Sequence, residues 1–140
     1  MWIIKNNIIP FKGFAAMNIL GLLFIRKNVQ ITPRLLRHEK IHSVQQYEIM
    51  MVSAILALIA SMMWQSWWYL LFVVAMPLLM YVLAWIIALI LPPYNSAYKD
   101  SPFEREAKAN ENNPEYLVTR KFMYFLRYIW IVDEKSKGVD

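Results

Sequence analysis

The sequence predicts a mainly α-helical membrane protein: a two-helix transmembrane hairpin lies between an HExxH helix and a glutamate-bearing helix, after a small N-terminal β element. Three observations predict this fold class. Hydrophobic residues make up 59% of the 140 residues, against about 45–50% in soluble domains. Residues 49–98 contain no Asp, Glu, Lys or Arg. The only two histidines, His38 and His42, lie four positions apart. The length allows one compact unit, so we expect residues 1–140 to form a single membrane-embedded domain.

Short strands are predicted within residues 1–33. The apolar stretches 3–9 and 14–25 are separated by Pro10 and Gly13, which typically interrupt regular structure. The second stretch is too short to span a membrane as a helix, and no small-residue cleavage site follows it, so we do not expect a cleaved signal peptide. An edge strand here could pair with an extended peptide. A small sheet that only covers the next helix is the alternative.

Residues 34–48 predict a helix that carries the motif HEKIH, with Pro33 suited to its first position. His38 and His42 lie one turn apart on one face, so both imidazoles can reach a single metal ion. Glu39 lies about 100° around the helix from His38 and can address a metal-activated water as a general base. The alternative is two interfacial histidines beside an ordinary acid.

Residues 49–64 and 67–91 predict two transmembrane helices joined by the polar pair Gln65 and Ser66. The second stretch is long enough to span alone, since a span needs about 20 residues, and Pro77 is expected to kink it. Aromatic residues cluster at the turn, as they do at membrane interfaces. The alternative is a buried helical hairpin of a soluble protein.

The distribution of charge predicts the topology. Arg34, Arg37 and Lys40 precede the hairpin and Lys99 follows it, whereas its tip is uncharged. Both termini are therefore expected on the cytoplasmic side. Two antiparallel spans also return the chain to the side that it left, which brings the segments before and after the hairpin close together.

The motif and its surroundings resemble those of gluzincin-like zinc metallopeptidases. HEKIH followed by SVQQ resembles the HExxHxxQQ signature, and residues 18–27 resemble the strand beside the active-site helix. The chain also resembles small bacterial membrane proteins with HExIH early and FEREAxAN late. HtpX-type and CAAX-prenyl-type peptidases likewise place a transmembrane hairpin after HExxH. The resemblance implies that His38 and His42 bind zinc, that Glu39 is the general base, and that a glutamate on a later helix is the third ligand.

That glutamate is expected on a helix over residues 102–112. Glu106 fits the family pattern ExxAN and shares a helix face with Asn110, so Glu106 is the preferred third ligand. Asn110 would then orient a ligand histidine by a hydrogen bond. Glu104 is the alternative ligand, although it fits a capping box with Ser101 and is expected, like Glu111, on the opposite, solvated face.

Residues 114–131 predict an interfacial helix, because basic and aromatic side chains alternate there as they do on anionic lipid surfaces. Such mixing also occurs in nucleic-acid-binding proteins, but no motif supports that interpretation, and no nucleic-acid partner is expected. The absence of cysteine excludes thiolate zinc sites and cysteine nucleophiles.

The expected function is hydrolysis of peptide bonds, through a zinc-activated water, near the cytoplasmic surface of a bacterial inner membrane. The expected substrate is a peptide or a segment of a membrane protein. Tyr98 and Tyr94, close in sequence to the glutamate helix, are candidates for stabilising the oxyanion. The alternatives are a non-catalytic membrane metal-binding or sensor protein that retains the site, and a membrane anchor without metal. The sequence leaves the substrate and the oligomeric state open.

Overall fold

The computed structural model describes residues 2–10, 15–90 and 101–129. The described chain is mostly helical with a small sheet near its N-terminus, which confirms the predicted helical content and the predicted N-terminal β element. Its elements are β1 (Trp2–Asn6), β2 (Ala16–Ile19), β3 (Leu22–Arg26), α1 (Pro33–Trp64), a 3₁₀ turn (Trp67–Leu70), α2 (Leu71–Ile90), α3 (Pro102–Asn110), α4 (Tyr116–Thr119) and a C-terminal 3₁₀ helix (Tyr124–Ile129).

The sheet has the strand order β1-β3-β2, with β1 parallel and β2 antiparallel to β3. Within the apolar stretch 14–25, where short strands were predicted, β2 and β3 form a hairpin that turns at Leu20 and Gly21. Both turn residues have positive φ, 49° and 83°, as a tight hairpin turn requires. Leucine rarely adopts this conformation, so the sequence carried little signal for a turn there. A Cβ at Gly21 would lie 2.0 Å from the Tyr47 hydroxyl oxygen, so the turn sits directly against α1.

The two helices predicted over residues 34–48 and 49–64 form one continuous helix, α1. The Thr32 hydroxyl accepts a hydrogen bond from the Leu35 amide at 3.1 Å and caps its N-terminus. The helix ends at Gln65, which adopts a left-handed conformation with φ 50°. Charged residues are confined to positions 34–48, and the uncharged part, 49–64, is the part suited to a bilayer.

Helix α2 packs against α1 after the 3₁₀ turn. Two helices, α1 and a stretch over Trp67–Ala84, are long and apolar enough to cross a membrane. Their apolar side chains are widely exposed; Met62 and Trp68, for example, are 74% and 77% accessible. Exposed apolar surface on this scale marks a surface that meets lipid or protein rather than water. Pro77 lies inside α2 as expected.

Helix α3 starts as the sequence predicts. Ser101 caps it, with its hydroxyl accepting from the Glu104 amide at 3.3 Å, and Pro102 occupies the first position. The helix is held on two sides. One apolar cluster joins Ile41, Ala107 and Tyr116, and another joins Ile49, Phe103 and Phe125. Both sides of α3 are therefore covered by the rest of the chain.

The prediction of one continuous helix over residues 114–131 is wrong. The chain forms α4 and the C-terminal 3₁₀ helix, separated by an extended Arg120 (ψ 132°) and a left-handed Met123 (φ 52°). The physical reason is the Arg120 guanidinium, which turns inward to pair with Glu48 and Glu106 instead of lying on an interfacial helix face.

Candidate metal centre

Three ligand-type side chains converge between α1 and α3. The Nε2 atoms of His38 and His42 lie 3.1 Å apart. Glu104 Oε1 lies 3.1 Å from His42 Nε2, and Glu104 Oε2 lies 3.6 Å from His38 Nε2. One ligand atom from each residue falls within 4.8 Å of the others. Glu104 follows His42 by 62 positions, with α2 and the apolar part of α1 between them, so only the fold brings it to the histidines.

The spacing of these atoms suits a small tetrahedral cation. Tetrahedral zinc with ligands at about 2.0–2.1 Å places neighbouring ligand atoms about 3.3 Å apart. The two Nε2 atoms lie 3.1 Å apart and His42 Nε2 lies 3.1 Å from Glu104 Oε1, both close to that value, while the other carboxylate oxygen lies 3.6 Å from His38 Nε2. Two imidazole nitrogens and one carboxylate are also ligands that zinc accepts, and three protein ligands are typical of catalytic zinc sites. The residues therefore fit the metal that the sequence motif implies.

The third member of the group is Glu104, not the preferred Glu106. Glu104 is 4% exposed, so its expected place on a solvated face is wrong. Glu106 is fully buried on another side of α3, where Gln45, Tyr116 and Arg120 donate hydrogen bonds to its carboxylate. The sequence argument assumed that a helix has one buried face, whereas α3 is covered on both sides.

A carboxylate forms a hydrogen bond with His38 Nδ1, the ring nitrogen that does not face the other two ligands. Glu111 Oε2 lies 2.9 Å from His38 Nδ1, which directs Nε2 of the ring towards the other two ligands. Glu111 is itself fixed by an ion pair from Arg34 and by Arg37, whose Nε donates to the Glu111 carbonyl at 2.7 Å. Sequence reasoning placed Glu111 on the solvated face and therefore missed this contact.

A side-chain amide and a hydroxyl lie within hydrogen-bond distance of His42 Nδ1, the ring nitrogen that does not face the other two ligands. Gln45 Oε1 lies 2.9 Å from His42 Nδ1, and the Tyr81 hydroxyl lies 3.2 Å from the same nitrogen. Gln45 follows His42 by three positions, inside the HExxHxxQQ pattern, so its presence was a signal that sequence reasoning left unused. Tyr81 belongs to α2, and nothing in its local sequence indicated this contact.

Asn110 was expected to orient a ligand histidine, but its side chain makes other contacts. Its amide donates to the Glu106 carbonyl at 2.8 Å and to the Tyr128 hydroxyl at 3.0 Å. It therefore ties α3 to the C-terminal 3₁₀ helix. The contacts expected of it are made by Glu111 and Gln45. Tyr94 and Tyr98, the candidates for oxyanion stabilisation, lie outside the described residues.

Glu39 is buried, with 6% exposure, directly beside the histidines along α1. Burial raises the pKa of its carboxyl, and the nearby charge of Glu104 raises it further, while the two imidazoles oppose the shift. Burial would also raise the pKa of Glu104, but its hydrogen bonds with His38 and His42 outweigh burial and hold that pKa well below its usual range. Glu39 therefore binds a proton more readily than an ordinary glutamate, which suits a base. Glu104 stays ionised, which suits a metal ligand.

Strand β2 lies directly against the motif part of α1. The Gln46 amide accepts from the Leu20 amide at 2.6 Å and donates to the Asn18 carbonyl at 3.0 Å, so it pairs with the outer edge of β2 like a short strand. The Asn18 side chain donates to the Glu39 carbonyl at 2.6 Å and to the Ser43 hydroxyl at 2.7 Å. The strand is thus fixed beside the residue expected to be the base.

Comparisons with protein-family models, curated proteins and solved structures found no match to this chain.

Proposed function

We propose that this chain is a membrane-embedded zinc metallopeptidase that hydrolyses peptide bonds near the cytoplasmic membrane surface. The observation that carries the proposal is the convergence of His38, His42 and Glu104, with Glu39 buried beside them. A site that only held a metal would need the three ligands but not the neighbouring acid.

The chemistry divides between the metal and the chain. Zinc, when bound by these three residues, lowers the pKa of a water molecule and polarises a carbonyl. Glu39, whose pKa is raised by burial, accepts the proton that the attacking water gives up. It then passes that proton to the nitrogen of the departing amine, so that the C–N bond breaks without releasing an amide anion. Acceptors at Nδ1 of both histidines would leave Nε2 of each ring for the metal, and Glu104 would supply the negative charge.

The edge of β2 supports a peptide as the substrate. Ala15 and Met17 pair with β3, so the amide and carbonyl of Ala16 between them point away from the sheet. An extended peptide can add to such an edge through main-chain hydrogen bonds. Because Asn18 joins the same strand to Glu39, a peptide there would lie next to the proposed base.

The membrane position supports a substrate presented at the bilayer surface. His42 precedes position 49, where the uncharged part of α1 begins, by seven residues, about 10 Å along a helix. Tyr81 of α2 reaches the same site. The basic residues before the hairpin favour the cytoplasmic side, and the family resemblance favours a bacterial inner membrane.

The test is hydrolysis by purified protein in lipid vesicles. A pool of peptides and vesicle-anchored polypeptides would be incubated with zinc-loaded wild type and with Glu39→Gln, and products read by mass spectrometry. We expect cleavage by the wild type that a chelator abolishes, and a 10²–10⁴-fold slower rate in Glu39→Gln with zinc still bound.

The matched control is Glu115→Gln, the same change at an exposed glutamate, which should leave the rate unchanged. Equal cleavage by wild type and Glu39→Gln would contradict the proposal. Zinc binding without cleavage of any substrate would favour the non-catalytic metal-binding alternative.

A further inference from the structure

We propose that Gln45 and Glu106 are positioning residues that hold His42 with Nδ1–H turned outward and Nε2 turned to the metal centre. The inference rests on the proposed metal centre and adds to it two residues that are not themselves in the ligand group. It also gives Glu106, which the family pattern favoured as a ligand, a different part in the same site.

The amide of Gln45 can adopt only one orientation. Its Nε2 lies 3.1 Å from the Phe103 carbonyl oxygen and 2.9 Å from Glu106 Oε2, and both of these atoms only accept hydrogen bonds. The reversed amide would bring its oxygen against two other oxygens. Gln45 is fully buried, so water cannot relieve such a contact. Gln45 Oε1 therefore faces His42.

The orientation of the Gln45 amide places the proton of His42 on Nδ1. Gln45 Oε1, 2.9 Å from His42 Nδ1, can only accept, so Nδ1 is the donor. The Tyr81 hydroxyl donates to the same amide oxygen at 2.8 Å, so its proton is not available to Nδ1. When a metal is bound, Nε2 would then present its lone pair on the side of His38 and Glu104, which is the form that binds a metal.

Glu106 acts on His42 through Gln45, whose amide orientation it fixes. Its Oε1 accepts from the Tyr116 hydroxyl at 2.8 Å and from Arg120, and its Oε2 accepts from Gln45. In Glu106→Gln, the new amide would keep its oxygen towards the donors Tyr116 and Arg120. Its NH₂ would then oppose the NH₂ of Gln45, which favours reversal of the Gln45 amide and presents a donor to His42 Nδ1.

The chain contains an internal control for this effect. His38 Nδ1 lies 2.9 Å from Glu111 Oε2, and neither Gln45 nor Glu106 takes part in that hydrogen bond. The two histidines are the only ones in the sequence, so protein labelled with ¹⁵N-histidine gives ring signals from these two residues alone. Tyr81→Phe, which removes a hydroxyl 3.2 Å from His42 Nδ1 and leaves the three ligands in place, assigns them.

The experiment measures zinc affinity by chelator competition and the ¹⁵N-histidine spectrum of zinc-loaded protein in detergent. Zinc-loaded protein is used because Glu104 accepts at Nε2, so a metal-free His42 ring would hold a proton on both nitrogens. The variants are Gln45→Met, Glu106→Gln and, as the matched control, Glu111→Gln. Thermal unfolding checks that each variant is folded.

In wild type we expect both rings bound through Nε2, each with a hydrogen-bonded Nδ1–H. Gln45→Met and Glu106→Gln should bind zinc about 10–100-fold more weakly and lose the hydrogen-bonded Nδ1–H signal of His42 only. Glu111→Gln should change the signal of His38 only. The wild-type spectrum tests the orientation even if a variant does not fold.

Two results would overturn the inference while leaving the metal centre intact: binding of His42 through Nδ1 in wild type, or wild-type affinity and His42 signals in Glu106→Gln. Failure of the wild type to bind zinc would instead overturn the metal centre and this inference together. The two failures are therefore distinguishable.

Discussion

Replacing Arg120 by methionine should strongly destabilise the protein, although the residue is far from the ligand atoms in sequence. The Arg120 side chain is 2% exposed and forms ion pairs with Glu106, which is fully buried, and with Glu48. Burial alone would lower the pKa of the guanidinium, but its pairing with these two carboxylates raises it. Methionine fills a similar volume and removes the charge, so two buried carboxylates lose their counter-ion.

Removing one partner of a buried ion pair costs about 3–5 kcal/mol, because the remaining charge stays desolvated. For a chain of this size that corresponds to a fall in the unfolding temperature of roughly 10 °C or more. The assay is thermal unfolding in detergent, followed by circular dichroism. Adding Glu106→Gln to Arg120→Met should recover part of the loss, since it neutralises one of the orphaned carboxylates.

Arg127→Met is the matched control. Arg127 is exposed; its guanidinium lies 5.8 Å from the centroid of the Tyr124 ring and donates to the Tyr124 hydroxyl at 3.0 Å. Its loss should cost no more than about 1 kcal/mol. If Arg120→Met unfolded at the temperature of Arg127→Met, the buried ion-pair network would not stabilise the fold as argued.

Four further predictions concern single positions. Glu111→Gln should weaken zinc binding about 10–100-fold in chelator competition, because His38 Nδ1 loses its acceptor. The raised pKa of Glu39 means that its ionisation opposes folding above its ordinary value of 4.5, so Glu39→Gln should unfold at a higher temperature than metal-free wild type at pH 7. The lowered pKa of Glu104 has the opposite sign: its contribution is present above 4.5 and is lost as the pH falls, so the stability gap between wild type and Glu104→Gln should narrow below pH 4.5 in pH-dependent melts. Gly21→Ala should lower the unfolding temperature, since alanine must adopt φ +83° against Tyr47, and a wild-type melting curve would contradict the turn described.

The features that could be predicted from the sequence are those with a local signal. Uncharged length predicted two helices long and apolar enough to cross a membrane, and Ser101 with Pro102 predicted the start of α3. The four-residue spacing of His38 and His42 predicted that their rings share a face, and their Nε2 atoms lie 3.1 Å apart. Each of these depends only on residues within one element.

The features that could not be predicted depend on what packs against an element from elsewhere. Helical periodicity places Glu104 and Glu106 on different faces, but it cannot show that both faces are buried. The inward turn of Arg120 depends on Glu48, 72 positions away, so residues 114–131 gave no local sign of a break. Tyr81 reaches the site only because α2 folds back along α1.

The most direct test of the account is zinc binding by wild type, His42→Ala, Glu104→Gln and Glu106→Gln, measured by elemental analysis and chelator competition. We predict one zinc per chain in wild type, loss of binding in His42→Ala and Glu104→Gln, and one more weakly bound zinc in Glu106→Gln. Wild-type affinity in Glu104→Gln, or loss of all zinc in Glu106→Gln alone, would contradict the assignment of Glu104 as the third ligand.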